Sequence, residues 1–187
     1  METDFAALPL SAALLAVVAE LGFEQLTPIQ AQTIPALLEG KDLVGQSRTG
    51  SGKTAAFALP ILQRLSLDAR EVRALVLCPT RELSAQVARE IRRLGRRHAG
   101  LTVLALGGGE PVGRQIGALE KGVHIAVGTP GRVLDHLRRR TLRVHRVATV
   151  VLDEADRMLD MGFQEDMEKI LRALPPQRQT VFFSMSS

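Results

Sequence analysis

Lys53 and Thr54 close a glycine-rich stretch, Gly45-Gln46-Ser47-Arg48-Thr49-Gly50-Ser51-Gly52, that lies between a short apolar run (Leu43-Val44) and an amphipathic helical pattern. Consecutive backbone N–H groups in such a turn converge on a phosphate, and the helix N-terminus adds its positive dipole end. Lys53 is placed to reach the β- and γ-phosphates of a nucleotide, and Thr54 offers a hydroxyl to a magnesium ion. The strict pattern G-x-x-x-x-G-K-[ST] asks for glycine at 47, where this chain has Ser47. Far downstream, Asp153 ends the apolar run Thr149-Val150-Val151-Leu152. A carboxylate there can hold hydrated magnesium, and Glu154 beside it can orient and polarise an attacking water. An acidic first turn favouring the dipole of the following helix is the alternative for this pair taken alone.

Those groups need a scaffold, and apolar runs alternate with helical patterns to supply one. Strands are expected near 42–45, 74–78, 101–106, 123–128, 148–153 and 179–184. Helices are expected from Ser11 to about Leu21, from Pro28 to near Gly40, and near 53–66, 81–98, 112–120, 131–139 and 155–173, the last in two pieces. Alternation with near-continuous apolar strands predicts an α/β fold with a doubly wound, mostly parallel sheet and helices on both faces. Ligands bind such sheets at the carboxyl ends of the strands. The segments that follow the predicted strands, around Pro79, Gly107, Thr129, Asp153 and Ser184, therefore share one edge.

At 187 residues, 45% hydrophobic and 24% charged, the chain has the size and composition of one globular domain. No apolar run reaches a membrane span, so no membrane partner is expected. The lone Cys78 ends a strand and cannot form an internal disulfide, which favours a cytoplasmic location and a buried structural role. The formal charge is only +4, but 20 of the 24 basic residues are arginine. Arginine forks suit phosphate oxygens, whereas a heat-adapted or compositionally biased surface gives the same count. Arg89, Arg92, Arg93, Arg96 and Arg97, and the run Arg138-Arg139-Arg140, fit a solvated helix face better than an RNA footprint. Histidines 98, 124, 136 and 145 lack metal-ligand spacing.

Asp153-Glu154-Ala155-Asp156 spells D-E-A-D, and with it the chain resembles the N-terminal RecA-like domain of the DEAD-box ATP-dependent RNA helicases. Gly22-Phe23-Glu24-Gln25-Leu26-Thr27-Pro28-Ile29-Gln30 is similar to that family's Q motif, within a segment of about residues 1–40, and Phe5 matches its isolated upstream aromatic. Ser47 to Thr54 corresponds to motif I, in which the family commonly carries a small residue at the position of Ser47. Pro79 to Leu83 corresponds to motif Ia, Gly108-Gly109 to the double glycine, Thr129 to Arg132 to motif Ib, and Asp153 to Asp156 to motif II.

The resemblance implies ATP and magnesium as cofactors and single-stranded RNA as partner. The nucleotide would be held by Phe5, Phe23, Thr27, Gln30, Ser47, Arg48, Thr49, Gly50, Ser51, Gly52, Lys53 and Thr54. A Gln side chain can pair with adenine through its amino group and N7, which guanine cannot match. Phe5 is expected to stack on the base, with anchoring of the first helix as its alternative. Pro79, Thr80, Arg81, Gly108, Gly109, Thr129, Pro130, Gly131 and Arg132 would meet the RNA backbone, without reading its sequence. Asp156, Ser184 and Ser186 would couple nucleotide state to RNA.

Motif III is Ser-Ala-Thr in the family and Ser184-Met185-Ser186 here, which keeps both hydroxyl positions. The family's second RecA-like domain, with its arginine fingers, has no counterpart in these 187 residues. The expectation is thus a monomeric chain that binds adenine nucleotide but hydrolyses ATP negligibly and unwinds nothing, because such a finger is worth about 10³–10⁵ in rate. The sequence around Gly108 to Gln115 and Asp153 to Phe163 looks most like bacterial members, notably the DbpA type acting in ribosome assembly. An ATP-dependent RNA-binding clamp fits the same motifs. A DNA-directed ATPase fits less well, because most such relatives lack the Q motif.

Overall fold

The computed structural model describes residues 3–48 and 51–185. Among these residues six strands form one sheet: β1 (Leu43–Gln46), β2 (Ala74–Leu77), β3 (Val103–Leu106), β4 (Ile125–Gly128), β5 (Thr149–Leu152) and β6 (Gln179–Ser184). Their order is β1-β6-β5-β2-β4-β3, and every pair is parallel. Strands β2, β4 and β5 are buried at every residue, as a sheet covered on both faces requires. The predicted doubly wound α/β architecture is present, and wholly parallel among the described residues.

Among the described residues eight α-helices surround the sheet: α1 (Ala12–Glu20), α2 (Pro28–Leu38), α3 (Lys53–Arg64), α4 (Arg81–Leu94), α5 (Val112–Lys121), α6 (Pro130–Arg139), α7 (Ala155–Asp160) and α8 (Gln164–Ala173). From β1 through β2 to β3 the chain steps toward one end of the sheet, and from β3 through β4 and β5 to β6 it steps back. Right-handed crossovers in opposite directions place their helices on opposite faces. Accordingly α3 and α4 join α1 and α2 over one apolar core, containing Phe57, Val87, Ile91 and Phe183. The other core gathers Val133, Leu134, Met158, Met167 and Ile170 from α6, α7 and α8, with Leu119 of α5 packed against it.

Local chemistry sets the helix ends. The Ser11 hydroxyl accepts the Leu14 N–H at 3.2 Å and starts α1. Thr27 and Gln30 form a reciprocal capping box around α2, with Pro28 in its first turn. Thr80 caps α4 by accepting from Leu83 N–H at 3.1 Å. That helix ends at Leu94 rather than near residue 98, since Gly95 takes the C-cap position and donates to the Ile91 carbonyl. Cys78 is fully buried beside β2, and burial pushes its thiol pKa well up, as expected of a structural cysteine.

Candidate nucleotide and RNA site

The strand order divides the chemistry in two. Strands β1, β6 and β5 are contiguous and end at the glycine-rich loop, at Ser184 and at Asp153. Strands β2, β4 and β3 are contiguous and end at Pro79, Thr129 and Gly107. The residues expected to handle phosphate therefore share one half of the carboxyl edge, and the expected RNA-contact residues share the other.

In the first half, the Lys53 ammonium lies 2.7 Å from Asp153 Oδ1, with side-chain exposures of 10% and 1%. Burial raises the Asp153 pKa, the Lys53 charge pulls it down, and Glu154 beside it adds to the rise. Beyond that ion pair, no side chain among the described residues donates to either Asp153 oxygen. Lys53 and Thr54 occupy the first turn of α3, whose N-cap Gly52 provides no side-chain cap, so the first helical N–H groups face outward. Gly52 sits at φ +83°, and a Cβ there would lie 2.2 Å from Gln30 Nε2, so only glycine fits. The Ser47 N–H donates to the Ser184 carbonyl at 2.9 Å, and its hydroxyl meets that of Ser51 across the loop. The serine that departs from the strict motif thus closes the loop. Arg48 is exposed, and Thr49 and Gly50 lie outside the described residues.

Gln30 is 1% exposed and braces the loop: its Nε2 donates to the Gly52 carbonyl at 3.0 Å and its Oε1 accepts the Thr27 N–H at 2.9 Å. An amide carries two N–H groups and two oxygen lone pairs, and these two bonds use one of each. Phe5 corrects the stacking expectation. Its ring is 1% exposed in a 3₁₀ turn (Phe5–Ala7), packed 5.3 Å from the Phe23 ring, so no face is left for a base. The anchoring alternative holds for Phe5, and Phe23, half-buried, is the ring that lines the cavity.

That cavity, about 500 Å³, is bounded by Phe23, Gly52, Lys53, Thr54, Asp153 and Glu154. Its opposite wall comes from α4, through Gln86, Arg89, Glu90 and Arg93. None of these four entered the nucleotide set read from sequence. The signal was present: 86, 89, 90 and 93 recur at helical spacing on one face. Glu154 is held at φ +53°, one of two non-glycine residues with positive φ among the described residues, and this conformation turns it toward the cavity. It also meets Arg157 Nη1 at 3.4 Å.

Asp156 accepts the Met185 N–H at 3.2 and 3.3 Å through its two oxygens, joining motif II to the end of β6. With the Ser47–Ser184 bond, this links loop, β6 and α7 in one chain of contacts. Ser186 lies outside the described residues.

In the second half, the stem of Arg81 lies on Gly107, where a Cβ would meet Arg81 Cγ at 2.5 Å. A Cβ on Gly109 would come 3.2 Å from Arg81 Nη1, and one on Gly108 would come 3.7 Å from Thr129 Oγ1. Motif Ia, the double glycine and motif Ib thus converge. Arg81 and Gly131 are exposed, while Pro79, Thr129 and Pro130 are buried. Arg132 is turned inward: its Nη1 donates to the Glu110 carbonyl at 2.8 Å and to Gln115 Oε1 at 3.0 Å. Gln115 donates to the Gly107 carbonyl at 3.1 Å, and its Oε1 lies 2.8 Å from Nε2 of buried His136. Because that oxygen only accepts, Nε2 carries the proton, and Nδ1 accepts from the Thr141 hydroxyl at 2.7 Å. Burial lowers the His136 pKa and keeps the ring neutral. This network shapes the glycine loop and was not anticipated from sequence.

The arginines of α4 and of the turn that follows it divide as well. Arg96 and Arg97 pair with Glu20 of α1, and Arg92 donates to the Val103 carbonyl at 2.8 Å. Arg89 and Arg93 face the cavity. Among the described residues no cluster of histidine, cysteine and carboxylate could hold a metal by itself, and no helix is long and apolar enough to cross a membrane. A nucleotide-borne cation is a different case. Buried Asp153, short of donors, and the Thr54 hydroxyl offer the hard oxygen atoms that magnesium takes, and so fit it.

Comparison with known proteins gives a consistent picture. Residues 27–186 match the sequence model of the DEAD/DEAH box helicase family. The chain is 53% identical over 182 residues to "DEAD-box ATP-dependent RNA helicase CshA" of Bacillus cereus, covering 97% of this chain and 34% of that protein. It is 48% identical over 184 residues to the protein of the same name from Bacillus subtilis, covering 98% and 37%. The crystal structure of a DEAD box protein from Methanococcus jannaschii superposes with a TM-score of 0.94 at 43% identity, over 100% of this chain and 51% of that one. The chain thus spans about a third of the length of these curated relatives. They agree with the bacterial likeness read from sequence and carry the name CshA rather than DbpA.

Proposed function

The chain belongs to the DEAD/DEAH box helicase family, and from that premise we propose that it is the ATP-binding, RNA-contacting half of an ATP-dependent RNA helicase. The observation that carries the reading is the buried Lys53–Asp153 ion pair at the mouth of an uncapped helix N-terminus. Two opposite charges are held there, out of water, where a phosphate chain and its cation would replace each as the other's partner. With nucleotide bound, Lys53 would turn to phosphate oxygens, while Thr54 and Asp153 would hold magnesium. The ion would supply neutralisation of the phosphate charge. Glu154, already aimed into the cavity by its left-handed backbone, orients the attacking water. Phe23 covers the base, and the Gln30 amide selects adenine over guanine.

Two contacts support a coupling role for Asp156 and Ser184. The Ser47–Ser184 and Asp156–Met185 hydrogen bonds connect the phosphate loop to β6, which lies beside β5 in the sheet. Single-stranded RNA lies over Arg81, Gly108, Gly109 and Gly131, where backbone contacts position the strand without reading its sequence. Turnover and unwinding require a second RecA-like domain with its arginine fingers, supplied by the longer protein.

The test is steady-state ATP hydrolysis, with and without single-stranded RNA. It is run on this chain and on the protein extended to the length of its relatives. The chain alone is expected to show negligible turnover and the extended protein to be stimulated by RNA. Hydrolysis by the extended protein that ignores RNA, or responds equally to DNA, would refute the reading.

A further inference from the structure

A second cavity of about 540 Å³ opens at the end of the sheet opposite the nucleotide, where β2, β4 and β5 begin. Its charged lining is Arg70, Arg140, Arg143 and Arg146 against Glu71 and Glu120. Arg146 lies 3.4 Å from Glu71, which leaves the cavity with an excess of arginine. The nucleotide cavity, by contrast, balances Lys53, Arg89 and Arg93 with Glu90, Asp153 and Glu154.

Arg140 marks the site independently of its charge. It closes α6 at φ +61°, a C-terminal position that glycine ordinarily fills. Only Arg140 and Glu154 are non-glycine residues with positive φ among the described residues. Glu154 belongs to the nucleotide site. Left-handed non-glycine residues cluster at binding and active sites, and this one lines the arginine-rich hollow.

We infer that this cavity is a second binding site for phosphate groups, and that its occupant is the sugar–phosphate backbone of RNA extending beyond the strand-end cleft. Helix α6 gives the route. It begins at Thr129 and Pro130 beside the double glycine and ends ten residues later at Arg139, a span of about 15 Å. Its last turn carries exposed Arg138 and Arg139. Arg139 pairs with Asp135 at 3.1 Å, so an RNA strand leaving motif Ib along α6 meets Arg138 and then Arg140 at the mouth of the cavity. Arginine forks suit phosphodiester oxygens, and the volume is in the range that takes a nucleotide-sized group.

This inference rests on the proposed RNA binding, and the experiment separates the two. The intact chain and the double variant Arg140→Gly/Arg143→Gln are titrated by fluorescence anisotropy. The probes are labelled oligouridylates of about 6 and about 20 nucleotides, at several salt concentrations. Arg140→Gly removes charge and backbone strain together, so the variant is expected to melt no lower than the parent. Its affinity for the long RNA should fall about tenfold, with a salt slope shallower by about 1.4, while the short RNA and ADP bind as before. Equal affinity and slope for the long RNA would overturn the inference while leaving RNA binding intact. Absence of RNA binding by the unaltered chain would overturn both. Tripolyphosphate, or a polyglutamate peptide, displacing the long RNA only in part would support the RNA assignment. Either one binding the unaltered chain more tightly than the long RNA would reassign the site and overturn it.

Discussion

Replacing Lys53 with methionine removes the ammonium group and keeps an unbranched stem of similar length. Asp153, at 1% side-chain exposure, then holds a charge with no counter-ion. Breaking a buried pair from one side costs about 3–5 kcal/mol, a large share of the roughly 5–15 kcal/mol that stabilises a typical domain. The pH dependence has a definite sign. Burial already raises the Asp153 pKa, and Lys53 is what opposes the rise, so the variant's carboxyl climbs further. A carboxyl with folded pKa above its unfolded value costs stability above the folded pKa. That cost disappears as pH falls toward the ordinary carboxylate range. The deficit of Lys53→Met should therefore be greatest near neutrality and shrink on acidification. Urea unfolding near pH 7 and near pH 5 measures it, and adding Asp153→Asn should recover about 2 kcal/mol or more of the loss. A Lys53→Met variant within about 0.5 kcal/mol of the parent at neutral pH, or one whose deficit ignores pH, would refute the reasoning.

Phe5→Leu should cost less than about 1.5 kcal/mol and leave ADP affinity unchanged, whereas Phe23→Leu should weaken ADP binding with little loss of stability; calorimetry and thermal melts separate the two. Glu154→Gly should raise stability by up to about 1 kcal/mol by relieving a left-handed residue, read as a shift in the denaturation midpoint. Burial lowers the pKa of His136 and of His124, so the unfolded chain takes up protons first as pH drops below about 6.5. Stability should fall through that window, and His136→Gln should flatten part of the fall in a series of melts. Gln115→Leu should free Arg132 and the Gly107 carbonyl and weaken RNA binding severalfold while ADP binding holds, as titrations of each ligand would show.

Periodicity and punctuation carried most of the fold. Ser11 and Pro28 each announced a helix start through local chemistry that needs no distant partner. The grouping of the strands was not visible, because linear order places β1 next to β2. Only the long-range pairing itself, which sets β6 and β5 between them, decides that grouping. The nucleotide motifs were legible because backbone geometry forces glycine at Gly52 and the chemistry forces lysine and a carboxylate. Phe5 was misread because an aromatic residue can offer its face to a base or to a core, and only tertiary packing decides. Arg132 and Gln115 gave no local sign of their network, since their partners lie on a different loop and on the buried face of α6. The wall formed by α4 was readable from its spacing, had that face been assigned to the cavity rather than to solvent.

The central claim is that this chain carries an adenine-selective, magnesium-dependent phosphate site built on Lys53, Asp153 and Gln30. Titration calorimetry of the chain with ADP and with GDP, each with and without magnesium, tests it most directly. The account predicts that ADP binds, that magnesium tightens it, and that GDP binds at least tenfold more weakly, with the preference lost in Gln30→Glu. Equal affinity for ADP and GDP in the unaltered chain, or no binding of either, would contradict it.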